Sequence, residues 1–201
     1  MKVIGLCGGS GSGKGTVSSI FWENKIPAVD TDAVYREMTQ TDSPCLRALA
    51  LEFADVIISE DGSLNRKALA ELVFSGEGNE KRLKRLNEIT HKYILDETRA
   101  RLEQFRAEGF LAAIVDAPVL FESGFDEECD LIVCVIADRD IRLSRIIERD
   151  NIDVAAATRR IDSQISNEEL ISRSDFVIYN NSDLNTLKYD VFSVAKQIIE
   201  K

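Results

Sequence analysis

The sequence is poor in the residues that build metal sites and disulfide-bonded folds. It contains one histidine, His91, and four scattered cysteines, Cys7, Cys45, Cys129 and Cys134. The spacing of Cys129 and Cys134 could serve half of a metal site, but one histidine leaves no second pair of ligands. Cys7 and Cys134 lie inside apolar runs, where cysteine behaves as a small hydrophobic residue. We expect all four cysteines to be reduced.

Positive charge is also in deficit. The chain has 25 Lys and Arg against 35 Asp and Glu, which gives a formal net charge of −10. Binding to a phosphate backbone needs clustered, excess Lys and Arg, so a broad nucleic-acid surface is excluded. Any anionic ligand must therefore be bound by a few local groups.

Long apolar segments are missing as well. Met1-Lys2 leads into a short apolar run, far below the roughly 20 residues that span a bilayer and shorter than the core of a signal peptide. We therefore expect a cytoplasmic protein without membrane association. The 201 residues are 44% hydrophobic and 30% charged, which predicts one folded domain, 1–201. We expect a monomer or weak homo-oligomer.

Short apolar runs rich in β-branched residues recur along the chain, with helical spacing between most of them. This alternation predicts a three-layer α/β fold, in which a parallel sheet of roughly five strands has helices on both faces. The predicted strands are Val3–Cys7, Ile26–Val29, Leu111–Val115, Leu131–Ile136 and Phe176–Tyr179.

About eighty residues without a clear strand separate the second and third runs, which is too long for a plain crossover. Apolar spacing marks one helix around 46–53 and a long one around 91–105, with a turn at Asp61-Gly62 between them. We predict a helical, acceptor-binding insertion over about 33–108.

An arginine-rich stretch, Arg139–Arg160, stands out in this acidic protein. Arg142, Arg145 and Arg149 share one helical face by their i, i+3, i+7 spacing. We predict a mobile lid over about 139–165, which would exclude water and neutralise phosphate charge. The alternative is a solvated helix face with ordinary pairs to Glu148 and Asp150.

The strongest motif is Gly8-Gly9-Ser10-Gly11-Ser12-Gly13-Lys14, which matches G-x-x-x-x-G-K between a predicted strand and a predicted helix. Glycines let successive backbone N–H groups turn inward around a β-phosphate, and the helix N-terminus adds its positive end. A flexible Gly/Ser linker would not be bracketed by a strand and a helix. The predicted ATP-binding residues of this loop are Gly9, Gly11, Ser12, Gly13, Lys14, Gly15 and Thr16.

One position of the loop is unusual. Gly15 follows Lys14 where a Ser or Thr normally ligates Mg²⁺, and Thr16 comes one place later. We expect Mg²⁺ to be held by phosphate oxygens and water, with Thr16 as the alternative protein ligand. No other metal ligand is predicted.

Motifs that define other P-loop classes are absent. The sequence has neither the D-x-x-G nor the N-K-x-D motif of GTPases, and Asp116 is followed by Ala117-Pro118 rather than by a catalytic Glu. Without a residue of that kind to activate water, phosphoryl transfer from ATP to an organic hydroxyl is favoured over hydrolysis.

Two carboxylates follow the second strand, where an open α/β sheet binds ligands. Residues two apart on a strand point the same way, so Asp30 and Asp32 are predicted to face the acceptor. Asp32 is the candidate general base. The alternative is that both aspartates cap the next helix.

Taken together, the motifs resemble the dephospho-CoA kinase family from the first strand to about Asn181. Besides the P-loop, the motifs that carry the resemblance are Asp30-Thr31-Asp32 with Arg36, Asp61-Gly62 with Leu64 and Arg66, Leu86-Asn87 with Thr90-His91, Asp116-Ala117-Pro118-Val119-Leu120-Phe121-Glu122, Arg145 with Arg149-Asp150, Arg160-Ile161 with Gln164, and Asp175-Phe176-Val177-Ile178 with Asn180.

The resemblance implies transfer of phosphate from ATP to the ribose 3′-hydroxyl of dephospho-CoA. It implies that Asp32 takes the hydroxyl proton and that Lys14 polarises the γ-phosphate. It also implies that Arg145, Arg149 and Asn180 belong to the phosphate-binding residues. It implies an acceptor site drawn from Asp30, Asp32, Arg36, Arg66, His91, Asp116, Pro118, Phe121, Glu122 and Arg145. His91 is equally open to a structural role, because a lone histidine is often only a hydrogen-bonding residue.

Four positions depart from the family pattern: Gly15, Thr31, Lys92 and Arg142. Arg142 stands where Gln is common. The rival enzyme class is a nucleoside monophosphate kinase, because Gly13-Lys14-Gly15-Thr16 is also the form of adenylate-kinase-like loops. The rival outside catalysis is a nucleotide-binding regulator, for which Gly15 would be a symptom.

Overall fold

A computed structural model describes residues 1–40 and 42–200 of the chain. These ranges contain five strands and nine α-helices, with short 3-10 turns at Asp55–Ile57 and Phe125–Glu128. In chain order the elements are β1 Lys2–Cys7, α1 Lys14–Glu23, β2 Ala28–Asp30, α2 Thr31–Met38, α3 Pro44–Phe53, α4 Arg66–Phe74, α5 Asn79–Ala107, β3 Ala112–Asp116, β4 Leu131–Ile136, α6 Arg139–Asp150, α7 Val154–Asp162, α8 Asn167–Ser172, β5 Phe176–Tyr179 and α9 Leu184–Glu200.

The sheet has five parallel strands in the order β2-β3-β1-β4-β5. This confirms the predicted α/β fold with a five-stranded parallel sheet. The second strand begins later than its apolar run, at Ala28, because Pro27 has no backbone N–H to donate to a neighbour. Its carbonyl still accepts a hydrogen bond from Ile114 N–H at 2.8 Å.

The carboxyl ends of the strands meet at one edge of the sheet. Asp116 at the end of β3 is in register with Leu6 of β1 and with Asp30 at the end of β2. On the other side of β1, Cys7 is in register with Cys134. β3 and β4, which are successive strands of the chain, lie on opposite sides of β1. Ligands of open α/β sheets bind in the crevice at such a switch point.

The core below this edge lies mainly between the sheet and two helices. Val17, Ile20 and Phe21 of α1 pack with Val191 and Ile198 of α9. They cover the strand face that contains Ile4, Leu6, Ile114, Val133, Val135 and Ile178. Full burial of one such side chain contributes about 1.5–3 kcal/mol to folding, so this layer stabilises the sheet that carries the carboxyl edge.

The chain separates into two compact units. One comprises Met1–Asp30 and the part of the chain from Leu102 onward, and it contains the sheet. The other is Thr31–Arg101, which overlaps the expected helical insertion and has its own core, including Leu46, Leu49 and Phe53 on α3.

The helices predicted within the second unit are present. α3 begins after Ser43, whose hydroxyl caps it by accepting a hydrogen bond from Leu46 N–H at 3.0 Å. The Asp61-Gly62 turn places Gly62 at φ +80°. No helix within residues 1–40 and 42–200 combines the length and apolar character needed to cross a bilayer.

The arginine-rich stretch forms a helical hairpin of α6 and α7 within the sheet unit. Ile146 of α6 packs against Ala157 and Ile161 of α7 in a small apolar cluster. Arg139 pairs with Asp162 at 2.6 Å, an exposed ion pair that joins the two helices. The predicted lid over 139–165 therefore corresponds to a packed pair of helices and the loop after them.

Candidate active site

The glycine-rich segment forms a loop between the end of β1 and the start of α1, as its sequence predicts. Gly13 precedes the helix with a left-handed backbone, φ +96°. A Cβ there would lie 2.1 Å from the amide nitrogen of Asn180, which donates to the Ser12 carbonyl oxygen at 2.8 Å. Only glycine allows Asn180, which is 6% exposed, to hold the loop this closely.

Lys14 closes one side of the loop. Its Nζ donates to the Gly8 carbonyl oxygen at 3.2 Å and lies 4.0 Å from Asp116 Oδ1. The side chains of Lys14 and Asp116 are only 16% and 15% exposed. The ammonium group therefore lies at the carboxyl edge of the sheet, beside the N-terminus of α1, where the helix dipole also favours an anion.

The loop contains an unsatisfied polar atom. Ser12 Oγ is buried and has no hydrogen-bond partner among the described residues. An orphaned hydroxyl in a loop of this type fits a missing ligand, because buried polar atoms almost always have a partner. Gly15 and Thr16 are exposed on the first turn of α1, and nothing lies within 4 Å of a Cβ built at Gly15.

The three arginines that share a face of α6 lie in different environments. Arg145 is half-buried, and its guanidinium donates to the carbonyl oxygens of Gly11 and Asn180, both at 3.2 Å. Arg149 is exposed and binds Asp150 through two hydrogen bonds of 2.7 and 2.8 Å. Arg142 is buried. Helical spacing predicted their common helix correctly but not these differences.

Asp150 connects the two arginine-bearing helices. Besides Arg149, it accepts a hydrogen bond from Arg160 of α7. The Arg149 hydrogen bonds, assisted by Arg160, lower the pKa of the Asp150 carboxyl to about 2. Part of the arginine-rich stretch therefore forms the ordinary ion pairs of the alternative interpretation, although no pair involves Glu148 in the described ranges.

The two aspartates after the second strand differ from the expected arrangement. Asp30 ends β2, but α2 begins at Thr31, so Asp32 lies in the first turn of a helix. The prediction that both side chains follow the alternation of a strand is therefore wrong. Asp32 and Arg36 are both exposed on α2. A carboxylate in a first helical turn is favoured by the helix dipole.

Within the Thr31–Arg101 unit, Arg66 begins α4 and donates to the Thr39 hydroxyl at 3.1 Å. Its guanidinium also lies 5.2 Å from the ring centroid of Tyr35. Burial raises the pKa of Tyr35, and the charge of Arg66 partly offsets this. His91 is half-buried on α5, and the described residues make no hydrogen bond to its ring.

The segment after β3 lines a cavity of about 230 Å³ together with the phosphate loop. Its lining includes Pro118, Phe121 and Glu122 as well as Gly8 and Gly9. Pro118 and Glu122 are exposed, while Phe121 is half-buried under Arg173, whose guanidinium lies 3.7 Å from the ring centroid. The structure thus brings three of the predicted acceptor residues next to the predicted ATP loop.

Sequence reasoning missed a group of side chains behind the loop. Ser10 is bound by Arg142 and Gln164, neither of which was predicted as a site residue. Arg142 was noted as a departure from the family pattern, and Gln164 as part of a motif. The sequence signal that could have found Arg142 is its position one helical turn before Arg145, on the same face of the helix.

Comparison with known proteins identifies the family. The family model described as dephospho-CoA kinase matches residues 2–186. A dephospho-CoA kinase of Fusobacterium nucleatum is 38% identical over 187 residues, covering 93% of each chain. One of Bacillus cereus is 36% identical over 195 residues, covering 97% of this chain and 96% of the relative.

A solved structure has the same fold. TT1252 from Thermus thermophilus superposes with a TM-score of 0.79 at 26% identity, covering 98% of this chain and 97% of that one. The family match extends over the P-loop, the Asp30-Thr31-Asp32 motif and the segment after β3. The chain belongs to the dephospho-CoA kinase family, whose members are phosphotransferases with an alcohol group as acceptor.

Proposed function

We propose that the protein transfers the γ-phosphoryl group of ATP to the ribose 3′-hydroxyl of dephospho-CoA, giving coenzyme A and ADP. The observation that carries this proposal is the phosphate loop, which has Lys14 hydrogen-bonded across it to the Gly8 carbonyl oxygen. The family match, which covers residues 2–186, supports it. Transfer of this kind requires positioning and charge stabilisation more than covalent chemistry.

The proposed ATP site uses the backbone N–H groups from Gly9 to Thr16 around the β-phosphate. Ser12 Oγ, which has no protein partner in the described ranges, is the side-chain donor for a phosphate oxygen. Lys14 would move from the Gly8 carbonyl toward the β- and γ-phosphates. Because the loop is already held by Asn180, little ordering entropy is lost on binding.

Arg145 and Arg149 are proposed to neutralise the transferred phosphoryl group. Arg145 already contacts the Gly11 carbonyl oxygen, so a short rotation of its guanidinium would reach a phosphate bound in the loop. Arg149, which is exposed, would exchange its partner Asp150 for phosphate oxygens. Charge placed where it develops in the transition state stabilises that state more than the bound substrate.

The acceptor roles are proposed from the family motifs and from the chemistry of the side chains. Asp32 is the proposed general base for the ribose hydroxyl, since a carboxylate within hydrogen-bond reach can accept its proton. The other proposed acceptor-binding residues are Asp30, Arg36, Arg66, His91, Asp116, Pro118, Phe121, Glu122 and Arg145. Of these, the cavity beside the phosphate loop supports Pro118, Phe121 and Glu122.

Magnesium is proposed to enter as the ATP complex. No group of three or more His, Cys, Asp or Glu side chains suited to a metal ion occurs within residues 1–40 and 42–200. Phosphate oxygens and water would therefore hold the ion, with the exposed Thr16 hydroxyl as the alternative ligand. The ion would neutralise charge on the β- and γ-phosphates. We also propose a cytoplasmic location, which suits four free cysteines.

A coupled ADP-release assay tests the proposed function. Dephospho-CoA, AMP and CMP would be offered separately to the purified protein with MgATP, and the product from dephospho-CoA would be identified by mass spectrometry and ³¹P NMR. We expect a 3′-phosphomonoester and the highest kcat/KM with dephospho-CoA. Faster turnover of a nucleoside monophosphate would instead establish the rival kinase class.

A further inference from the structure

Behind the phosphate loop lies a buried cation to which the proposed mechanism gives no role. Arg142 projects from α6 and is only 5% exposed. Its Nε donates to the Ser10 carbonyl oxygen at 2.9 Å. Its terminal nitrogens donate to Gln164 Oε1 at 2.9 Å and to Asn167 Oδ1 at 3.2 Å. The guanidinium is thus tied to the loop and to the segment after α7 at the same time.

Every polar group of Ser10 is bound by this pair of side chains. Gln164 Oε1 accepts from the Ser10 N–H at 2.9 Å, and Gln164 Nε2 donates to Ser10 Oγ at 3.1 Å. Arg142 binds the remaining carbonyl oxygen. A residue near the tip of a glycine-rich loop is therefore fixed before any ligand arrives, which lowers the entropic cost of binding.

The glycines beside Ser10 lie directly against Arg142. A Cβ at Gly9 would be 2.2 Å from Arg142 Nη2, and a Cβ at Gly11 would be 2.7 Å from the Arg142 carbonyl oxygen. Both distances are shorter than those that real Cβ atoms show, so the loop and Arg142 can pack this closely only because both positions are glycine. The neighbour at Gly9 is the Arg142 guanidinium, whereas the neighbour at Gly11 is the Arg142 backbone. Movement of the Arg142 side chain would therefore be transmitted to the loop at Gly9 and Ser10.

The Arg142 guanidinium makes no ion pair with a carboxylate of the described ranges. All three of its acceptors are neutral oxygens, and burial, followed by repulsion from Arg139, lowers its pKa. No carboxylate of the described ranges contributes to that shift. Buried charges are normally paired, because an unpaired one is costly. A polyphosphate bound in the loop would supply negative charge near the guanidinium, so Arg142 would stabilise the nucleotide-bound protein more than the unliganded protein.

We propose that Arg142, acting with Gln164, is a positioning residue for ATP. Its side chain holds Ser10 and Gly9 in the shape that receives the phosphates and places a positive charge behind them. This inference rests on the proposed use of ATP. An arginine that served only as a structural strut would stabilise the unliganded protein and would not discriminate between the two substrates.

The test compares Arg142→Gln, Arg142→Lys and the control Lys196→Gln, which removes an exposed charge on α9. MgATP binding would be measured by calorimetric titration, and KM for each substrate by steady-state kinetics. For Arg142→Gln we expect the Kd and KM for ATP to rise about tenfold, which corresponds in free energy to the loss of about one hydrogen bond to a charged group. The kcat and the KM for the acceptor should change less than about twofold.

The two remaining variants separate charge from geometry. Arg142→Lys keeps the charge but makes fewer bonds, so we expect an intermediate ATP affinity, about threefold weaker than wild type. Lys196→Gln should bind ATP as the wild type does. Wild-type ATP affinity in Arg142→Gln would overturn the proposal. So would a parallel loss of affinity for both substrates in proportion to a lower melting temperature.

Gln164→Met covers the case in which Arg142→Gln does not fold. Gln164 is exposed, so this variant loosens Ser10 without leaving a vacancy in the core. We expect ATP to bind about threefold to tenfold more weakly, and an unchanged Kd would overturn the proposal. The ATP titration needs no acceptor. A wild-type protein that binds ATP but does not convert dephospho-CoA would refute the proposed function and leave this test intact.

Discussion

The phosphate loop and the Thr31–Arg101 unit present their candidate residues in different ways. In the loop, backbone groups are held by side chains that are themselves buried, Asn180 at 6% and Arg142 at 5% exposure. In the helical unit, Asp32, Arg36 and Arg66 lie exposed on helices. Fixed donors suit a phosphate chain, whose geometry is the same in every nucleotide, whereas exposed side chains can adjust to a larger acceptor.

This difference predicts how substitutions should divide. Changes behind the loop should affect ATP affinity or fold stability, because the loop is part of a packed network. Changes on the exposed helix faces should affect phosphoryl transfer or acceptor affinity and leave stability nearly unchanged, since surface substitutions usually alter it by less than about 0.5 kcal/mol.

Asp32→Asn should have the largest effect. Removing a general base typically costs about 10²- to 10⁴-fold, and we expect kcat to fall within that range. The ATP Kd and the melting temperature should remain close to wild type, because Asp32 is exposed on α2. Single-turnover kinetics with calorimetry would measure both. Unchanged transfer would remove Asp32 from the role of base.

Lys14→Ala should lower kcat/KM by at least about two orders of magnitude, the loss expected when a preorganised charge contact is removed. The physical reason is its place at the mouth of the loop, between the Gly8 carbonyl and Asp116. Steady-state kinetics at saturating acceptor would measure the loss. Lys196→Ala, which removes an exposed lysine, is the matched control, and an equal loss in both variants would contradict the assignment.

Gly13→Ala and Gly15→Ala form a pair that tests the packing of the loop. A methyl group at Gly13 would meet Asn180 at 2.1 Å in a left-handed backbone, so we expect a loss of about 1–3 kcal/mol of unfolding free energy. Gly15 lies in α1 with open space around it, and alanine there should be neutral or stabilise by up to about 1 kcal/mol. Urea unfolding of both variants would measure this, and equal effects would contradict a close approach at Gly13.

The smallest effect should come from acid titration of the hairpin of α6 and α7. Arg149 and Arg160 depress the pKa of Asp150 from an ordinary 3.8 to about 2. A depressed pKa contributes stability above the unfolded value, and this contribution is lost as the pH falls from about 4 through 2. Asp150→Asn should therefore flatten the pH dependence of the urea midpoint in that window. Parallel curves for wild type and variant would contradict the assignment.

Much of the sheet unit could be predicted because its signals are local. β1 follows from an unbroken apolar run, and the phosphate loop follows from glycine spacing next to that run. The bounds of β2 were less accurate, since Pro27 lies inside its apolar run and delays the first strand hydrogen bonds. The side-chain alternation of a strand was wrongly extended to Asp32, because the change from strand to helix at Thr31 has no strong sequence signal.

The amino-acid sequence by itself determined the order of the five strands along the chain, the phosphate loop, the candidate residues and the family, since each of these is carried by short motifs of neighbouring residues. Only the tertiary structure decided what holds the loop. Arg142 and Arg145 have the same side chain and lie on one helix, yet one is buried behind Ser10 and the other binds Gly11 and Asn180. The contacts with Ser10 and Gly11 join residues more than 100 positions apart along the chain, which no local pattern encodes.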